Sequence, residues 1–113
     1  MCMSTSIGYR AEVVAAEFLH QKGYIILDRN WKTRVCEIDI IAKKHGTVYF
    51  VEVKYRGSKY QGNGLDYITP KKLKQMSFAA ENWVQQQKYT GDYQLSAIEV
   101  SRDFIVTAHI VDI

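Results

Sequence analysis

The sequence predicts an α/β fold with the element order αβββαββ. Two stretches place apolar residues at helical spacing, and five shorter runs are rich in β-branched and aromatic residues. At 113 residues the chain is long enough to bury one core and too short for two. We therefore expect a single domain that spans residues 1–113, with one sheet and two helices.

The first predicted element is an amphipathic helix in the segment GYRAEVVAAEFLHQKGY. Its apolar residues recur every three or four positions, as they do on one face of a helix. These residues are Ala11, Val14, Ala15, Phe18 and Leu19. Gly23 stands where a C-terminal cap is expected, so the helix should end just before it.

Three strands are predicted next, in the runs YIILDRNW, CEIDIIAKK and TVYFVEVKY. Each run is short and rich in residues that favour strands. The polar segment KTR separates the first two runs, and His45-Gly46 resembles a turn between the last two. We expect these strands to be consecutive antiparallel neighbours.

The second half of the chain begins with a predicted loop over residues 56–68, which contains three glycines and no apolar periodicity. Thr69 then supplies an N-cap and Pro70 the first helical position. A second helix should run to about Lys88, with an apolar face. The chain closes with two further strand-like runs, YQLSAIEV and FIVTAHIV.

Composition excludes several classes of protein. No stretch approaches the roughly 20 apolar residues that span a bilayer, and the first residues lack a signal-peptide pattern. Cys2 and Cys36 are too few for a disulfide framework and lack the spacing of metal ligands. We expect a cytoplasmic protein with no structural metal on its cysteines and no membrane partner.

Positive charge is concentrated in one part of the chain. The segment 54–74 holds six basic residues against the single acid Asp66, although the net charge is only +3. These six are Lys54, Arg56, Lys59, Lys71, Lys72 and Lys74. A basic stripe of this kind favours a phosphate backbone. We predict that Arg56, Lys59 and the helix-start lysines contact nucleic acid.

The three lysines at the start of the second helix, Lys71, Lys72 and Lys74, lie at the positive end of its dipole. Each is expected to lower helix stability by roughly 0.3–1 kcal/mol. A phosphate docked there would reverse the sign of this effect, because backbone donors and lysines would both point at an anion. A solvated lysine cluster remains an equally good interpretation.

Three charged residues interrupt apolar strands and point to chemistry. Asp39 lies between Ile38 and Ile40, and only Val53 separates Glu52 from Lys54. Strict alternation places Glu52 and Lys54 on one strand face, and Asp39 on the face opposite Ile38 and Ile40. If the hairpin joins these two faces, two carboxylates and an ammonium converge.

Two carboxylates at one point repel each other, so one takes up a proton unless a cation intervenes. Mg²⁺ suits such a pair, because it prefers oxygen ligands and keeps waters that a phosphate can displace. Lys54 would then stabilise charge on a phosphoryl group or orient the attacking water. The competing interpretation is a solvated strand face with a weak surface ion pair.

These motifs resemble the PD-(D/E)xK nuclease superfamily, in which EID is followed by a strand reading VEVK. The chain is most similar to its YraN-like branch, related in fold to archaeal Holliday junction resolvases. The features shared with that branch are Gly8 with Glu12, the GY and RN pairs, EIDIIA, FVEVKYR and the lysine-rich second helix. The resemblance implies a restriction-endonuclease-like fold with a mixed five-stranded sheet flanked by helices.

The resemblance also implies roles for individual residues. Asp39 and Glu52 match metal-binding carboxylates, and Lys54 matches the catalytic lysine. Glu12 matches an acidic helix residue that completes the site, and Val53 matches a position whose backbone carbonyl binds the metal. The implied cofactor is Mg²⁺, with Mn²⁺ as a substitute.

Two departures from the family pattern accompany these matches. Cys36 stands where glycine usually precedes EID, and Leu95-Ser96 replaces an aromatic-aspartate pair. Either departure raises the question whether activity is weakened.

The function expected from the sequence is Mg²⁺-dependent hydrolysis of phosphodiester bonds in DNA, including branched or structured DNA. Two alternatives stay open at this point. One is a catalytically silent nucleic-acid-binding module of the same fold, and the other is a small α/β interaction protein with an incidental charged strand pair. By the same resemblance, the protein is compatible with a homodimer.

Overall fold

The order of helices and strands agrees with the sequence prediction. The computed structural model describes residues 6–57 and 67–113. Its elements are α1 (Ile7–Gln21), β1 (Ile25–Lys32), β2 (Glu37–Lys44), β3 (Thr47–Arg56), α2 (Pro70–Gln87), β4 (Asp92–Ser101) and β5 (Val106–Ile110). The predicted α/β order αβββαββ is confirmed. Lys59 and most of the predicted 56–68 loop lie outside the described residues.

All five strands form one mixed sheet in the order β1-β2-β3-β4-β5. The first three strands are antiparallel neighbours, as predicted, and β4 pairs antiparallel with β5. The central pair, β3 and β4, is parallel. A parallel pair needs a crossover connection, and α2 lies in that connection. Within residues 6–57 and 67–113, no helix has the length and apolar character of a bilayer span.

Both helices begin and end at residues that the sequence marks for this role. The Ser6 hydroxyl accepts a hydrogen bond from the backbone of the first turn of α1, and Gly23 adopts a left-handed φ of +96° just after the helix. Thr69 caps α2 in the same way, and Pro70 occupies its first turn. Lys88 ends α2 with a φ of +53°.

The core consists of two layers, one on each side of the sheet. α1 covers one face, where Ala11, Ala15 and Leu19 pack with sheet residues that include Ile40, Val51, Ile98 and Val100. α2 covers the other face, where Ala79, Ala80 and Trp83 pack with Ile38, Ile41, Val48 and Phe50. The charged ends of β2 and β3 lie where this second layer stops.

Strand alternation is broken at Asp39. Ile38 packs in the cluster under α2, whereas Ile40 packs in the cluster under α1. The expectation that both isoleucines share one face is therefore wrong. Asn30, opposite Asp39 on β1, has a left-handed φ of +55°, and such a residue interrupts extended strand geometry.

Candidate functional site

Asp39 and Glu52 meet where the hairpin ladder of β2 and β3 ends. The last pair of that ladder is Ile40 with Val51, so Asp39 and Glu52 are the next positions on their strands. Here the Asp39 side chain enters the ladder, because Oδ2 accepts a hydrogen bond from the Val53 N–H at 2.8 Å. The two carboxylates predicted to converge are thus neighbours.

The carboxyl group of Asp39 is buried and lies in a negative environment. Burial is the largest cause and the charge of Glu52 the next, and the pKa of Asp39 is raised from 3.8 to about 7 in total. The hydrogen bond from Val53 opposes this shift, whereas the charges of Glu12 and Glu37 add to it. Near neutral pH the group therefore lies between its two protonation states, and a nearby cation would favour the ionised form.

Glu12 approaches the same point from α1. Its Oε1 is buried and has no hydrogen-bond partner among the described residues. Burial raises the pKa of Glu12, and interactions with Asn30 and Arg29 oppose that shift. A buried carboxylate oxygen without a partner is costly, so it is available to a cation. The resemblance assigns Glu12 to the metal site, and this burial is compatible with that assignment.

A small cavity of about 10 Å³ borders three acidic residues, Glu37, Asp39 and Glu52. This volume corresponds to roughly one water molecule. Across the described ranges, no three Asp, Glu, His or Cys side chains are grouped closely enough to hold a metal by themselves. Mg²⁺ needs fewer than three protein side chains, because it is commonly bound by one or two carboxylates together with waters and substrate phosphates.

Lys54 follows Glu52 on the same strand face. Val53 and Tyr55 pack against the α1 cluster, so Glu52 and Lys54 point to the other side of the sheet. The Lys54 Nζ lies 5.7 Å from the centroid of the Tyr67 ring, close enough for a cation–π contact. This contact holds the ammonium on the face that carries the two carboxylates.

Lys72, predicted to contact nucleic acid, pairs with Glu52 within the protein. Its Nζ lies 2.9 Å from Glu52 Oε2, and the two side chains are 32% and 20% exposed. An ammonium from α2 therefore occupies one oxygen of a proposed metal ligand. Lys71 and Lys74, the other two lysines of this helix start, are exposed to solvent.

Arg56, also predicted to contact nucleic acid, is held in an ion pair that is about 90% buried. Its Nε donates to Glu99 Oε2 at 2.9 Å, and the Thr107 hydroxyl donates to the other Glu99 oxygen at 2.9 Å. The Arg56 guanidinium also lies 5.7 Å from the centroid of the Tyr67 ring. We therefore interpret Arg56 as a residue that fixes the end of β3.

Two further residues lie beside the candidate site, Tyr67 and Glu99, and neither is among the metal-binding, catalytic or nucleic-acid-binding residues predicted above. Tyr67 lies against both Lys54 and Arg56, and its hydroxyl is buried without a hydrogen-bond partner in the described part of the chain. Burial, together with the charges of Glu52 and Glu99, raises the Tyr67 pKa above its ordinary range. Glu99 does carry a sequence signal, because it is a charged residue between Ile98 and Val100.

The two departures from the family pattern leave the carboxylates of the site in place. Ser96 is buried and donates a hydrogen bond from Oγ to the Ile110 carbonyl at 2.7 Å. By alternation it shares a face with Ile98, which packs under α1 on the side of the sheet away from Glu52. The Cys36 Sγ lies 3.2 Å from the Thr33 hydroxyl in the turn before β2.

Comparison with known proteins agrees with the resemblance to the YraN-like family. The model of the uncharacterised protein family UPF0102 matches residues 11–106. A UPF0102 protein of Chlorobium phaeobacteroides is 45% identical over 78 residues, which cover 69% of this chain and 61% of that protein. The chain thus spans less than two thirds of the length of that relative.

Two further relatives are covered over more of their length. A UPF0102 protein of Leifsonia xyli subsp. xyli is 40% identical over 83 residues, 74% of this chain and 70% of that protein. A UPF0102 protein of Vibrio campbellii is 35% identical over 97 residues, 83% of this chain and 80% of that protein. The chain belongs to the uncharacterised protein family UPF0102.

Proposed function

We propose that this protein is a Mg²⁺-dependent endonuclease that hydrolyses phosphodiester bonds in DNA, including branched or structured DNA. The proposal includes a restriction-endonuclease-like fold and the PD-(D/E)xK site that its motifs resemble. One observation carries the proposal. Asp39 and Glu52 are adjacent acids at the end of a strand ladder, and their mutual repulsion and burial raise the pKa of Asp39 to about 7.

The residues present fit a divalent cation. Asp39 and Glu52 would hold it together with Glu12 of α1, whose Oε1 has no hydrogen-bond partner within residues 6–57 and 67–113. Residues in a strand direct their N–H and C=O towards the same neighbour, so the Val53 carbonyl is directed towards β2 as its N–H is. When bound, Mg²⁺, or Mn²⁺ in its place, would supply a water of lowered pKa and neutralise phosphate charge.

Lys54 has the role of stabilising the transition state. Hydrolysis forms a bond between a water oxygen and phosphorus, breaks a phosphorus–oxygen bond of the backbone, and passes a proton to the leaving oxygen. Negative charge grows on the phosphoryl oxygens during this step, and an ammonium fixed on the face of Glu52 opposes that charge. The ring of Tyr67 positions Lys54 and, because the ring is uncharged, does not neutralise the ammonium.

Removal of the Lys54 ammonium is expected to reduce DNA cleavage by about 10²–10³-fold while the protein stays folded. The measurement is cleavage of supercoiled, linear, single-stranded and four-way-junction DNA in Mg²⁺ or Mn²⁺ by the Lys54→Ala protein. Lys43→Ala is a matched control, because Lys43 also lies in a strand, over the ring of Tyr89 at 5.9 Å. Equal cleavage rates for the two variants would contradict the assignment of Lys54.

A second candidate function is a nucleic-acid-binding module that does not cleave. The observation that favours it is the Lys72–Glu52 ion pair, because the protein already supplies a cation to one metal ligand. DNA binding in chelator, with no cleavage by the unaltered protein in Mg²⁺ or Mn²⁺, would favour this candidate. Affinity should fall with salt in either case, since both use phosphate contacts.

The same ion pair predicts competition between Lys72 and the metal. A partly exposed pair of this kind contributes about 0.2–1 kcal/mol, so Lys72→Met should tighten Mg²⁺ binding by roughly 1.4–5-fold. Calorimetric titration with Mg²⁺ measures the change directly. Lys74→Met is the control, because it removes an exposed charge from the same helix turn. Identical Mg²⁺ affinities for the two variants would show that Lys72 does not compete.

A further inference from the structure

A second, larger cavity of about 250 Å³ adjoins the candidate site. Glu52 and Lys72 form part of its wall, and the remainder comes from the turn before β2, from Glu37 and from one face of α2. Pockets for drug-sized ligands measure roughly 300–1,000 Å³, so this one has room for a single ring system. Whatever enters it lies directly beside the carboxylate proposed to hold the metal.

The walls of this cavity include large apolar side chains that are exposed to solvent. Val35 in the turn before β2 is 70% exposed, and Phe78 on α2 is 49% exposed. Met76, which is buried, and the partly exposed Cys36 also line the cavity. Aromatic and aliphatic surface next to a charged site is suited to stacking against a flat, apolar ring face.

Polar groups in the same walls suit the edge of that ring and the phosphate attached to it. Gln75 offers an amide with both donor and acceptor atoms, Glu37 offers an acceptor, and Lys72 offers a cation. The neighbouring Lys71 and Lys74 are exposed on the same helix turn and add positive charge. An apolar side chain from a partner protein would use the Phe78 surface but would leave these polar groups unused.

We propose that this cavity holds one unpaired nucleobase of a nucleic-acid strand, stacked on Phe78, next to the phosphodiester bond that is cut. The inference rests on the proposed function and narrows its substrate to strands with at least one unpaired nucleotide at the site. A base inside a duplex has its faces covered by its neighbours and its polar edge paired. Single strands and flaps present such a base at a lower unstacking and unpairing cost than a duplex does.

The test measures binding of a single-stranded oligonucleotide by the fluorescence of a 2-aminopurine that it carries. Chelator is present so that no cleavage occurs. Phe78→Ala should weaken binding of the single strand at least about fivefold, the fold-change that corresponds to loss of one base–aromatic stack. Binding of the matching duplex should change by less than twofold. Phe78→Trp should restore the single-strand affinity, because tryptophan keeps the stacking surface.

Ile105→Ala is the matched control, since Ile105 is 61% exposed and lies beyond the end of β4, outside this cavity. The Ile105→Ala substitution should leave the affinities for the single strand and for the duplex unchanged. DNA and RNA strands of one sequence serve as two arms, and Phe78 dependence in either arm supports the cavity. In a Cys2→Ser background, a bound strand should also slow alkylation of Cys36, which lines the cavity.

Three results would overturn the proposal: no binding of single strands by the unaltered protein, equal single-strand affinities for Phe78→Ala and Ile105→Ala, or dissociation of a dimer by Phe78→Ala. The last would assign the cavity to a second copy of the chain. Failure here is distinct from failure of the endonuclease proposal. Cleavage without Phe78 dependence rejects only the cavity, whereas Phe78-dependent binding without cleavage rejects only the nuclease.

Discussion

Asp39→Asn is expected to make the metal-free protein more stable than the unaltered protein at pH 8. The folded pKa of Asp39 is about 7, whereas its ordinary value is 3.8. Between these values the folded state binds more protons than the unfolded state, so the free energy of unfolding falls as pH rises. Above pH 7 Asp39 is ionised in the folded state, and this lowers the free energy of unfolding by roughly 4 kcal/mol.

Asparagine removes this penalty with little change of shape. Its Oδ1 can still accept the hydrogen bond that Val53 donates, and it carries no charge to repel Glu52. The gain in stability should therefore be largest above pH 7 and should vanish near pH 4. Denaturant unfolding from pH 4 to pH 9 in chelator measures it. Mg²⁺ should raise the melting temperature of the unaltered protein and leave that of Asp39→Asn unchanged.

Asp28→Asn serves as the control for net charge, because Asp28 is exposed on β1 and its carboxylate accepts a hydrogen bond from the adjacent Arg29 N–H. Its stability should follow that of the unaltered protein at every pH. If the curves for Asp39→Asn and Asp28→Asn coincide, burial and the charge of Glu52 do not act on Asp39 as described.

Arg56→Met should lower the free energy of unfolding by about 3–5 kcal/mol. The substitution removes the guanidinium from Glu99, whose side chain is nearly buried between β3 and β5. The Thr107 hydroxyl remains as a partner for one oxygen, but a neutral donor does not compensate a buried charge. Urea denaturation at pH 7 measures the loss, and the slope with denaturant should be unchanged.

Two companion variants separate charge from packing. Thr107→Val removes the hydrogen bonds that the Thr107 hydroxyl donates to Glu99, at 2.9 Å to Oε1 and at 3.4 Å to the backbone carbonyl, and should lower stability by about 1.5–3 kcal/mol. Arg56→Met combined with Glu99→Leu leaves no buried charge at this position and should recover most of the lost stability. A loss below about 1 kcal/mol for Arg56→Met alone would indicate that the pair is solvated rather than buried.

Much of the fold could be predicted because its signals are local. Helical spacing and the Thr69-Pro70 pair locate the helices, and the strands follow from runs of β-branched residues. His45 and Gly46 both have positive φ, at 51° and 82°, which is the geometry of a two-residue hairpin turn. The mixed sheet could be expected only from the resemblance, since strand order depends on contacts between distant segments.

The candidate site, like the fold, could be predicted only where its signals are local in the sequence. Charged residues inside apolar strands identify Asp39 and Glu52, and their meeting follows from the hairpin. The partners of Lys72 and Arg56 could not be predicted, because these ion pairs join residues 20 and 43 positions apart in the chain. Glu99 carries the same signal as Asp39, so the pattern does not distinguish a metal ligand from a buried ion pair.

The parallel pairing of β3 with β4 gives the candidate site a particular place in folding. β3 meets β2 across a hairpin in which Lys44 pairs with Thr47, but Thr47 also pairs with Asp92, 45 positions later. The loop between β2 and β3 is short, so closing it is fast and costs little conformational entropy. The connection between β3 and β4 is long and contains α2, so pairing these strands costs more entropy and is slower. We therefore expect the two acids at the end of the hairpin to meet, and to repel each other, before β4 pairs with β3.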